Sequence, residues 1–100
     1  MDDPSTLTQA VEQHCGGTAT FARSKYVHVA RDERTLWEGA VGVFELKGVP
    51  GAIRAYAWRM PTESGRSETV VMLHNGAIHS PHLAVRAVLD LRGMKPARAG

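Results

Sequence analysis

A chain of 100 residues, 43% hydrophobic and 22% charged, has the make-up of one globular domain; a disordered chain is excluded and a second core has little room. A formal net charge of +2 permits an acidic partner but is too slight for a dedicated nucleic-acid-binding chain. The lone cysteine, Cys15, excludes an internal disulfide and points to a reducing compartment.

The opening Met1-Asp2-Asp3-Pro4 is acidic, unlike the basic-then-apolar start of a signal peptide. No apolar stretch approaches the ~20 residues a membrane span needs, so cytoplasm is the expected location. Asp3 followed by Pro4 predicts a helix start, with Leu7, Ala10, Val11 and His14 on one stripe and Gly16-Gly17 as the stop.

Strands follow. Residues 26–30 form a short β-rich run that ends at the polar turn Arg31-Asp32-Glu33-Arg34. Residues 35–46, with Trp37, Val41, Val43 and Phe44, read as a long strand whose glycines disfavour a helix. Gly48-Val49-Pro50-Gly51 is a turn, residues 52–60 a third strand closed by Pro61, and residues 68–74 a fourth. Asn75-Gly76 leaves two readings open, a hairpin turn into a fifth short strand at 77–79 or a plain loop. Ser80-Pro81 then predicts a helix with Leu83, Ala87, Val88 and Leu91 on its apolar stripe, ended by Gly93. Residues 1–93 are expected to form a single domain and 94–100 a disordered tail.

The expected fold is α+β, a two-layer sandwich in the order α-β-β-β-β-α. It has an antiparallel meander of four strands, or five with 77–79, and both helices on one face. With Leu46 opposite Ala52 and Met60 opposite Glu68, Val41, Val43, Ile53, Ala55, Ala57, Val71 and Leu73 lie beneath the helices. Phe44, Leu46, Tyr56, Trp58, Met60, Val70 and Met72 then form an uncovered face, with Arg54 and His74 near its edge. A bare aromatic face predicts a homodimer, the alternatives being a twisted sheet that half-closes into a barrel and buries both of its own faces, or a separate ligand or partner; it makes Arg54, Tyr56, Trp58 and His74 the candidate binding residues.

Chemistry is sparse. His74, His79 and His82 fall within nine positions, but their spacing matches no zinc motif and no cysteine or carboxylate completes a set. Cys15 follows His14 at a helix C-terminus, where the dipole disfavours a thiolate. Gly16-Gly17 and the glycines at 48 and 51 lack the strand–loop–helix context of a phosphate site. No catalytic residue, metal or cofactor is therefore expected. Arg23, Lys25, Arg54, Arg59 and Arg66, interleaved with Tyr56 and Trp58, are the types that bind and stack nucleic acid. The order α-β-β-β-α within the chain also resembles, in outline, the double-stranded-RNA-binding fold. The added strand departs from that fold, as does Pro81-His82-Leu83 where its last helix opens on lysines.

The reading is a non-catalytic, homodimeric interaction module. A nucleic-acid-binding regulator is the alternative. A ligand-binding protein or enzyme with a pocket near Arg54, Tyr56 and His74 is the third reading.

Overall fold

In a computed structural model that describes residues 4–61 and 64–92, six elements follow one another. They are α1 (Pro4–Cys15), β1 (Thr18–Arg31), β2 (Arg34–Lys47), β3 (Arg54–Pro61), β4 (Ser67–Leu73) and α2 (Pro81–Leu91). The strands form one open antiparallel sheet in the order β1-β2-β3-β4, so the α-β-β-β-β-α meander is the architecture. The cap at Asp3, the stop at Gly93 and the tail 94–100 lie outside the described residues.

Local chemistry explains the junctions. Gly16 ends α1 at φ +80°, and its N–H donates to the Glu12 carbonyl at 2.8 Å. The Glu12 carboxylate accepts the Ala19 N–H at 2.9 Å, which ties the helix to the start of β1. Gly17 is required by close approach, because a Cβ there would lie 2.4 Å from the Lys47 carbonyl oxygen. At the far end, Arg31 pairs with Arg34 around a two-residue loop, Asp32-Glu33, with both residues at positive φ (53° and 65°).

The first strand is much longer than the expected 26–30. Its phase shifts between Phe21 and Arg23, where the register with β2 is irregular, and this hides the alternation of residues 18–21 from that of 26–30. Before α2, the Asn75 side chain accepts from the Ala77 and Ile78 N–H groups, both at 2.8 Å, and the Asn75 N–H donates to the Ile78 carbonyl at 2.9 Å. That side-chain turn makes 77–79 a loop, and the described sheet has four strands. Ser80 caps α2 as expected, its Oγ accepting the Leu83 N–H at 3.2 Å.

The placing of the helices differs from expectation. Met60 does stand opposite Glu68, but β2 meets β3 with Glu45 opposite Arg54 and Phe44 opposite Ala55, one residue from the expected register. A shift of one exchanges the faces of one strand relative to its neighbour. Val41 and Val43 therefore join Tyr56, Trp58 and Met60, together with Val27 and Val29, beneath Ala84, Val85, Val88 and Leu89 of α2. Phe44 and Leu46 join Ala19, Ala55 and Ala57 beneath Leu7 and Val11 of α1. Both sheet faces are apolar and each takes one helix, giving three layers rather than two helices on one face.

The helix stripes turn accordingly. Leu91, expected in the core, is 81% exposed, and the buried residues of α2 are Ala84, Val85, Val88 and Leu89. His14 is exposed, and Ile53 lies in the exposed turn before β3.

Candidate functional site

Three of the four candidate residues converge. Arg54 and Tyr56 alternate on the α2 side of β3, and the His74 N–H donates to the Arg54 carbonyl at 2.9 Å, extending the β3–β4 ladder by one residue. The Tyr56 hydroxyl lies 2.8 Å from His74 Nδ1, within hydrogen-bond reach, and the two rings sit 6.1 Å apart. Tyr56 is buried whereas Arg54 and His74 are half-buried, and Glu45 stands directly opposite Arg54. This cluster forms a polar cap at one end of the core and gives the buried phenol a partner.

Trp58 does not join that cap. It is 0% exposed beneath α2, its ring 6.4 Å from Trp37, and its Nε1–H has no acceptor among the described residues. The expected uncovered aromatic face is corrected on the same ground: Phe44, Tyr56, Trp58 and Met60 are all fully buried, divided between the two cores. Removing the bare face removes the reason for a sheet-to-sheet homodimer and for bases stacking on Tyr56 and Trp58.

The other candidates stay apart. His79 and His82 are exposed, and among the described residues no three His, Cys, Asp or Glu side chains gather as metal ligands. Burial pushes the Cys15 thiol above its ordinary pKa, the reverse of what a nucleophile needs. A cavity of about 130 Å³ lies between the hairpin tip and α2, among Arg31, Leu36, His82, Arg86, Leu89 and Asp90. Within it Arg31 and Asp90 form a loose ion pair at 3.7 Å. A shallower groove runs between α1 and β4, past Gln13, His14, Thr69 and Arg92. Neither is lined by Arg54, Tyr56 or His74.

Sequence reasoning missed the outer edge of β1. This strand is the outer one of the hairpin, 14 residues long and exposed over most of its length. From Arg23 to Val29 its register against β2 is regular, so seven residues without a bulge lie along the outer edge. On the face away from α2, Tyr26 is 62% exposed and donates to the Glu38 carboxylate, while His28 Nε2 lies 2.8 Å from Thr35 Oγ1. The alternation of polar Thr18 and Thr20 with Ala19 and Phe21 was the available signal.

Comparison with known protein families, curated proteins and solved structures finds no match for this chain. No helix among the described residues is long and apolar enough to cross a membrane.

Proposed function

We propose that this chain is a non-catalytic interaction module that engages its partner along the open edge of β1. The observation that carries the reading is the sheet order, which leaves a 14-residue strand outermost. An outer strand has a row of backbone N–H and C=O groups without ladder partners, and an extended segment can complete them by adding a strand. The opposite edge is a poorer candidate because β4 is half as long. A homodimer or a nucleic-acid complex built on Tyr56 and Trp58 would require α2 to leave the sheet, so the proposal rests on the edge alone.

The test is a nuclear magnetic resonance titration of the whole chain with short β-forming peptides. Each peptide is matched by a version carrying central prolines, which cannot donate to a ladder. Backbone amide shifts concentrated in residues 23–29, and lost with the proline versions, are the expected result. Shifts confined to the helices or to the Arg54–His74 cap, or equal shifts with both peptide sets, would overturn it.

A further inference from the structure

The edge of β1 is chemically one-sided. Thr18–Arg31 contains no Asp or Glu, whereas it carries Arg23, Lys25, His28 and Arg31. Arg31 is engaged by Asp90, but Arg23 and Lys25 are exposed and lie two positions apart on the α2 side of the strand. Opposite residues 23–29, β2 carries one carboxylate, Glu38, which faces His28, lies on the side away from Arg23 and Lys25, and accepts the Tyr26 hydroxyl.

Such a pattern discriminates among partners. In antiparallel self-pairing, registers centred on Arg23, Ser24 or Lys25 set Arg23 or Lys25 directly opposite a like charge. Like charges directly opposite are destabilising, and cations on an edge strand are a common device against self-association. The same two cations favour a strand that brings carboxylates, and acidic residues at alternate positions of an extended segment all project to one face.

We infer that the free edge of β1 takes an extended acidic segment of another protein, added antiparallel or parallel over residues 23–29. Its Asp or Glu residues, two positions apart, face Arg23 and Lys25. This inference deepens the proposed function and rests on it.

The experiment uses the full chain and three peptides in which valine alternates with glutamate, glutamine or lysine. The expected order of affinity is glutamate, then glutamine, then lysine. The glutamate peptide should be roughly threefold to tenfold tighter than the glutamine peptide at low salt, the range for one or two exposed opposite-charge pairs, and the advantage should shrink as salt rises. Amide shifts should cluster in residues 23–29. The double variant Arg23→Glu/Lys25→Glu, altered only at exposed positions, should reverse the preference towards the lysine peptide, and this gain would be invisible if the variant were simply unfolded. Equal affinity for the glutamate and glutamine peptides would overturn the inference while leaving the edge reading standing. No edge shift with any peptide would remove both. A single-stranded oligonucleotide that outcompetes the glutamate peptide, perturbing the Arg23 and Lys25 side chains but not the edge amides, would assign the cations to a polyanion and overturn the inference.

Discussion

Val43 stands directly opposite Tyr56 across β2 and β3. That pairing puts the largest side chains of β3 on the same side as the valines of β2, and α2 closes over them. Phe44, one position on, points the other way, towards Leu7 and Val11 of α1. The sheet is thus a shared partition between two small cores, each closed by its own helix.

Trp58 tests the larger core. Trp58→Ala should cost about 3–5 kcal/mol, as for other fully buried aromatics. Trp58→Phe should cost less than about 2 kcal/mol, because it also removes an indole N–H whose burial without a partner costs about 1–3 kcal/mol. Denaturant unfolding of the two variants gives the comparison. Equal losses would mean that the indole N–H, not ring volume, holds the site.

Gly17 and Gly76 form a contrasting pair. A methyl group at 17 meets the Lys47 carbonyl oxygen and the Val49 side chain, so the backbone itself must shift, and Gly17→Ala should cost about 1–3 kcal/mol. At 76 a Cβ meets nothing within 4 Å, and Gly76→Ala should be neutral or slightly stabilising. Thermal unfolding resolves the difference at about 4–8 °C per kcal/mol for a domain of this size. Matching melting temperatures would contradict the close approach of α1's exit to the end of β2.

The hairpin tip is open to improvement. Asp32 and Glu33 both hold positive φ, a region that costs most residues about 1–2 kcal/mol and glycine almost nothing. Glu33→Gly should therefore raise stability by about 1 kcal/mol, less the entropy glycine adds to the unfolded chain. A lower melting temperature would show that the tip is held by side-chain contacts of Glu33.

Cys15 should react sluggishly. Burial raises its pKa, so the thiolate fraction at neutral pH is below that of an exposed cysteine, and alkylation should be slower than for a free thiol at equal pH. The linkage has a definite sign. The folded state keeps the thiol proton to higher pH than the unfolded chain does, so this group's contribution is complete below the ordinary thiol pKa and is lost as pH rises through the folded value. Cys15→Ser should flatten the alkaline side of the stability profile, and an unchanged alkaline slope would remove Cys15 from the account.

The meander and both helices were legible because the turns are chemically loud: Gly48-Val49-Pro50-Gly51, Pro61 and Ser80-Pro81 each punctuate one boundary. The β2–β3 register was not, since the link between Lys47 and Arg54 is long enough to admit either alternative. With apolar residues on both faces, hydrophobic pattern alone could not choose between them. The candidate site followed that register. Arg54, Tyr56 and His74 do meet, because they share parity on β3 and β4, but Trp58 went beneath a helix rather than onto a surface. The β1 edge was hidden by a single irregularity at Ala22, which breaks the alternation into two halves too short to read as one strand.

The three-layer arrangement also governs the order in which this protein can be completed during synthesis. When β4 has left the ribosome the meander can pair, and α1 can already shield Phe44 and its neighbours. The other side, with Val41, Val43, Tyr56, Trp58 and Met60, stays bare until α2 emerges, because every helical residue that covers it lies in Pro81–Leu91. A nascent chain stalled between Leu73 and Pro81 would therefore carry a finished sheet with one greasy side open to water, and that intermediate is the one a chaperone would have to hold.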